Sequence, residues 1–243
     1  MDARRAQERL VAAGFPVGID GDFGGKSYAA LMSHIGKRSA VDPLRLALGK
    51  AADRYFPATG ITSGLRIAHV LAQQSVETGQ FGALVENLNY SVAGLLGTFS
   101  RTRISAADCE RLGRKQSEPP LGLDWQETIA NIVYGRAFGL AQLGNTQPGD
   151  GWRFRGRGAK QTTGRANYAR IKLLTGYDVI ANPALLEDPD KGMRAACIFW
   201  TDKRCNVFAD ADDIDGLTRA INGATNGIVE RRAALVRAKA ILL

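Results

Sequence analysis

Along the 243 residues, apolar and polar positions nowhere alternate strongly with a period of two, yet apolar residues recur at three- and four-residue spacing in segment after segment. A chain patterned this way buries one stripe of each helix and has little from which to build a sheet. "SGLRIAHVLAQQSVE" sets Leu65, Ala68, Leu71, Ala72, Ser75 and Val76 on one face, with Ser63 placed as the N-cap. "DWQETIANIVYG" opens on Asp124 with Glu127 three residues later, which predicts a capping box, and Gly135 stops it. "DPDKGMRAACIFWTDK" offers Asp188 as N-cap and Pro189 at the first helical position. "DDIDGLTRAIN" and "IVERRAALVRAKAILL" add two more helices, and shorter patterns run over about 3–13 and 26–36. Residues 135–163, rich in glycine and polar side chains, read as a long ordered loop. The expected fold class is all-α with one or two small hairpins.

At 45% hydrophobic and 23% charged, a chain of this length closes a core without staples. Cys109, Cys197 and Cys205 are odd in number and match no metal-ligand spacing, and with only His34 and His69 beside them no zinc site is expected. They read as buried, reduced thiols. The opening "MDARRAQERLVAAG" lacks the apolar run of a secretory signal, and no stretch approaches a membrane span, so synthesis and retention in the cytoplasm are expected. The net charge of +8 suits a polyanionic partner: nucleic acid, anionic lipid or the bacterial envelope.

Two features carry chemistry. In "VETGQFGALVENLNYS", Glu77 ends the predicted 64–77 helix and Glu86 follows nine residues on. Fully extended, the two would stand roughly 30 Å apart. A turn at Gly79 and Gly82 can bring them to the about 6.5–9.5 Å of an inverting glycosidase pair, one carboxyl protonated as acid and one ionised as base. The other feature is "GWRFRGRGAKQTTGRANY", where Arg153, Arg155 and Arg157 alternate with glycine beside Trp152 and Phe154. Arginine and glycine with aromatic neighbours is also the composition of single-strand nucleic-acid segments. Such tails are repetitive and of low complexity, which this chain is not, so no nucleic-acid partner is expected.

"RIAHVLAQQSVETGQF…VENLNYS", "GNTQPGDGWRFRGRGAKQTTGRANY" and "LTRAINGATNG" together resemble the family 19 chitinase-like glycoside hydrolases, in the family's order and over about residues 43–243. The resemblance is greatest to the phage and bacterial members that act as endolysins on peptidoglycan. It implies a lysozyme-like, two-lobed helical catalytic domain that needs no metal or organic cofactor. Glu77 matches the general acid, Glu86 the second carboxylate, and Thr163 the hydroxyl that helps hold the attacking water. Gln161, Asn167 and Asn222 match polar side chains lining the sugar cleft, and Arg231 a cleft-supporting arginine. Trp152 and Tyr168 are candidate aromatic faces for sugar, with core packing as the alternative. The arginine-glycine run belongs to the same pattern; its glycines allow close backbone approach and its arginines are expected to pair with carboxylates. Val76 departs from the family, standing where many members have histidine, and Lys160 and Thr162 replace commonly apolar residues.

Residues 1–38 resemble, in shortened form, the peptidoglycan-binding repeat of cell-wall hydrolases, with Asp20, Gly21, Phe23 and Gly24 forming its turn. So short a helical module is expected to lean on the 43–243 catalytic domain, or simply to extend it. His69 reads as a core histidine. The basic C-terminal helix reads as a packed terminal helix, or alternatively as a segment that disturbs an anionic outer membrane. The expected protein is a monomeric endolysin that waits in the host cytoplasm and reaches the periplasm after a pore forms. There it cuts the β-1,4 bonds of bacterial peptidoglycan. A chitinase acting on N-acetylglucosamine polymers and an inactive wall-binding protein are the alternatives.

Overall fold

The computed structural model describes residues 1–243, which form two compact units. Unit 1 comprises Met1–Leu84, Gly158–Lys160 and Leu186–Leu243; unit 2 comprises Val85–Arg157 and Gln161–Leu185.

Unit 1 opens with α1 (Ala3–Ala12), α2 (Gly25–Ile35), α3 (Pro43–Tyr55) and α4 (Gly64–Glu77). Unit 2 follows with α5 (Val92–Thr98), α6 (Ala106–Leu112), α7 (Leu123–Val133), α8 (Arg136–Phe138), α9 (Asp150–Arg153) and α10 (Arg165–Thr175). The chain then completes unit 1 with α11 (Pro189–Asp202), α12 (Cys205–Asp210), α13 (Ile214–Asn222) and α14 (Ile228–Leu242). Extended pairing is limited to isolated bridges, among them Val85 with Arg157 and Arg157 with Thr162. The all-α expectation holds, and the expected hairpin shrinks to that last pair.

Two capping residues set helix starts as read. Ser63 accepts from the Arg66 amide at 3.1 Å and Asp188 from the Lys191 amide at 2.9 Å. The "DWQET" segment differs: α7 begins at Leu123 behind an uncapped Gly122, so Asp124 lies in the first turn and is no cap. There its charge still complements the helix dipole. Residues 135–163 are also more structured than expected. They hold α8, a π-helical turn at Gly139–Leu143 and α9, with Gly144 and Gly149 in left-handed conformation closing the turns.

One apolar cluster fills unit 1, and residues of the N-terminal helices are part of it. Leu10, Leu31 and Ile35 share it with Leu48, Phe56, Leu71, Trp200 and Leu235. The compact units therefore do not divide at the expected 37–43 boundary. Two helices of this length cannot close a core alone, so α1 and α2 pack on α3, α4 and α14. Backbone contact between α2 and α3 requires Gly49, where a Cβ would stand 2.3 Å from the Gly25 carbonyl. The loop between α1 and α2 is held by buried Gln7, which donates to Asp20 at 2.7 Å and accepts from the Gly21 amide at 2.9 Å. Phe23 is buried edge-on against Tyr28, and Gly24 is the N-cap of α2.

α14 is a core helix. Ala234, Leu235, Ala238, Ile241 and Leu242 are buried in the unit 1 cluster, and the helix packs chiefly on α4 and α2. Its apolar stripe is thus already covered by protein.

In unit 2 a second cluster gathers Leu88, Leu95, Phe99, Ile104, Leu112, Ile129 and Val133 from α5, α6, α7 and their loops. Phe154 and Tyr168, also of unit 2, pack ring against ring, centroids 5.1 Å apart. All three cysteines are buried and unbridged, and burial pushes the Cys197 and Cys205 thiols up to about 12.

Candidate active site

Glu77 occupies the last position of α4, where the side chain leaves the helix as the core ends. The buried guanidinium of Arg231, on α14, donates to Glu77 Oε1 at 2.6 Å. Asn222, the last residue of α13, reaches the same oxygen at 3.4 Å. Arg231 is itself fixed from two further sides, by the Gln73 side chain and by the Asn226 carbonyl at 3.1 Å. Both charges of the pair are largely buried, at 3% and 17% exposure, where an ion pair is screened little. One carboxyl oxygen is thus held by donors, and Oε2 has no protein partner. A carboxyl gripped in that way can present a proton from its free oxygen.

Unit 2 holds the other carboxylate. Backbone pairing of Glu86 with Gly156 fixes the strand-like segment, the Glu86 amide donating to the Gly156 carbonyl at 2.9 Å. The Gly156 amide donates back to Glu86 Oε2 at 3.0 Å, and the Tyr134 hydroxyl donates to Oε1. Burial pushes the Tyr134 phenol well above its ordinary value, with Glu86 adding to the effect, so this hydroxyl stays a donor. Arg103 supplies a fixed positive charge nearby. Its guanidinium lies over Phe138 at 4.2 Å and Phe99 at 4.8 Å, and its Nε donates to the Val133 carbonyl at 2.9 Å. Burial pulls the guanidinium below its ordinary range, and Tyr134 and Glu86 pull it back up.

Gly156 explains why glycine interrupts the arginines. A Cβ there would stand 2.7 Å from Gln161 Oε1, 3.2 Å from Glu86 Cβ and 3.3 Å from Glu86 Oε2. Gln161 and Glu86 therefore converge on this one backbone position. Gln161 adopts a left-handed φ of 52°, a conformation that non-glycine residues take rarely and that clusters at functional sites. The Thr163 hydroxyl donates to the Gln161 carbonyl at 3.3 Å, and Asn167 donates to the Thr163 carbonyl at 2.7 Å.

A protein of Haemophilus influenzae (strain Rd) described as glycosyl hydrolase family 19 domain-containing is 34% identical to this chain over 172 residues, 71% of this chain and 78% of that protein. The chain belongs to glycosyl hydrolase family 19. It is accordingly a chitinase-like glycoside hydrolase. A class IV family 19 chitinase from Zea mays superposes with a TM-score of 0.49 at 17% identity, covering 88% of this chain and 89% of that one. No family model matches the sequence.

Within this family 19 hydrolase the residues singled out from sequence fall into three groups. Glu77, Asn222 and Arg231 meet in unit 1; Glu86 and Gln161 meet at Gly156 in unit 2; Thr163 and Asn167 are bonded through the turn after Gln161. Tyr168 is not an open sugar platform. Its ring is fully buried against Phe154, and its hydroxyl donates to the Arg155 carbonyl at 2.8 Å. Trp152 is partly buried on the second cluster, with the Arg155 guanidinium 3.6 Å over its ring. Backbone carbonyls take several of the arginine bonds: Arg153 donates to Ile180 and Ala181, and buried Arg157 to Arg153.

Tyr134, Arg103, Gln73 and Lys160 also belong to these surroundings, and sequence reasoning did not select them as site residues. Tyr134 follows the end of α7 as an ordinary aromatic, 48 residues from the carboxylate it serves. Only the departure of Lys160 from the family pattern gave any signal.

Proposed function

We propose that this hydrolase is an endolysin that cuts the β-1,4 bonds of the peptidoglycan glycan strand by single displacement with inversion. Glu77 protonates the leaving oxygen, using the carboxyl oxygen that no protein group occupies. Glu86 accepts a proton from water, since each of its oxygens keeps a lone pair beyond the one taken by Tyr134 or Gly156. Thr163 helps to hold that water, and Gln161, Asn167, Asn222 and Trp152 contact the sugars. Arg231 keeps Glu77 aimed. Asp20, Gly21, Phe23 and Gly24 shape the turn through which the α1–α2 pair adds affinity for the wall. The enzyme acts as a monomer on the periplasmic wall, after release from the cytoplasm through a pore.

The observation that carries the choice of polymer is the net charge of +8. Peptidoglycan is anionic and chitin is neutral, so a basic surface raises the local concentration of the former and not of the latter. Mass spectrometry of fragments released from purified Gram-negative peptidoglycan, after borohydride reduction, tests the proposal. Reduced N-acetylmuramic acid at the new ends is expected, which defines a muramidase; reduced N-acetylglucosamine would define a glucosaminidase. Cleavage of chitin oligomers with peptidoglycan left intact would overturn the endolysin reading. Cleavage of neither would leave a wall-binding protein.

A further inference from the structure

Beside Glu77, unit 1 contains a small chamber, mainly apolar in its walls, into which a few polar side chains also open. Gln74 and Glu77 line it from α4, Phe199 and Trp200 from α11, Ile221 from α13 and Lys160 from the segment 158–160. About 20 Å³ of it is open to a water molecule, enough for one. Gln74 is 4% exposed; its amide nitrogen donates to Met193 Sδ at 3.4 Å, and its Oε1 has no donor. Lys160 enters from the other side, its ammonium 4.4 Å from the centre of the Phe199 ring. Buried acceptors without donors are uncommon in folded proteins, and the ammonium of the half-buried Lys160 needs acceptors on the side turned from solvent.

We propose that Lys160 is a positioning residue for Glu77: its ammonium binds one water in this chamber, and that water donates to Gln74 Oε1 and to the Glu77 carboxyl. Gln74 Oε1, which has no donor, is thereby satisfied together with the ammonium, and Glu77 gains a further contact besides Arg231 and Asn222. The charged groups facing Lys160 are Glu77, which attracts it, and Lys203 and Arg231, which repel it; the Cys205 thiol is also near. Burial pulls the ammonium below its ordinary value and Glu77 draws it back up. Glu77 is the carboxylate that lines the chamber with Lys160.

The inference rests on Glu77 being the acid, so Glu77→Gln is measured alongside. The probes are purified peptidoglycan and the soluble N-acetylglucosamine hexasaccharide, with the full chain at several pH values. Lys160→Met is expected to lower kcat about tenfold, with KM within about twofold, and to move the basic limb of the rate profile up by about half to one pH unit, because a positive charge near the acid is gone. Lys160→Arg should keep the limb in place, and Gln74→Met should lower kcat a few-fold at unchanged KM. A Lys160→Met enzyme with the parental rate and profile overturns the proposal. So does one that loses rate and melting temperature together with the limb unmoved, which is the signature of packing on Phe199 alone. If Glu77→Gln retains the parental rate, the acid assignment itself falls, a result that the lysine variants do not produce.

Discussion

Gly156 shows how much chemistry one missing side chain permits. Its amide bonds one oxygen of Glu86, its carbonyl receives the Glu86 amide, and its bare Cα lets Gln161 approach. In Gly156→Ala the added methyl forces Gln161 or Glu86 aside by several tenths of an ångström. With Glu86 as the proposed base, displacements of this size are costly, and we expect kcat to fall about 100-fold. Stability should change by less than about 2 kcal/mol, because the surrounding atoms are partly exposed and can shift. Steady-state rates together with a thermal melt check this; a parental rate would mean that Glu86 is not held in its working position through Gly156. The glycine's role in close approach was legible from the arginine-glycine run. The burial of Tyr168 was not, because an aromatic beside a polar motif has the same spacing whether it faces sugar or core.

At the scale of elements, caps were legible where a side chain acts on its own neighbours three residues away, as Ser63 and Asp188 do. They failed at Asp124, because the helix starts one residue earlier, at Leu123 behind Gly122. α14 was legible as a helix, but its partners were not. It places Leu235, Ile241 and Leu242 in the core and brings Arg231 to Glu77. Large buried aliphatic side chains contribute about 2–5 kcal/mol each, so removing three exceeds much of the about 5–15 kcal/mol that holds a domain folded. Deleting residues 228–243 is therefore expected to abolish cooperative unfolding and activity together. Circular dichroism melts decide the matter: a truncation with a parental transition would mean that α14 is an appendage, free to act on membranes.

For the whole molecule, acid sensitivity follows from its two histidines. His69 is fully buried in α4, and its Nδ1 has no partner; burial lowers its pKa even though Asp212, 2.7 Å from Nε2, opposes the shift. His34 is lowered by burial and by Arg237. The unfolded chain therefore binds more protons than the folded one below the ordinary value of about 6.5, so this stability is present above that pH and is lost as pH falls through the folded values. We expect the melting temperature to drop by about 3–6 °C between pH 7 and pH 5, and His69→Gln to flatten that slope. An unchanged slope in the variant would assign the loss to other groups.

The sequence by itself determined the longer helices read from their periodicity, the caps at Ser63 and Asp188 and the motifs that mark a family 19 hydrolase, because each rests on residues close together in the chain. Tertiary structure decided what surrounds those residues. Arg231 reaches Glu77 across 154 positions and Gly156 reaches Glu86 across 70. The same packing drew the N-terminal helices into the unit 1 core, sealed Tyr168 and set Lys160 beside Glu77. Such contacts depend on how many helices pack at once, and no local spacing encodes that.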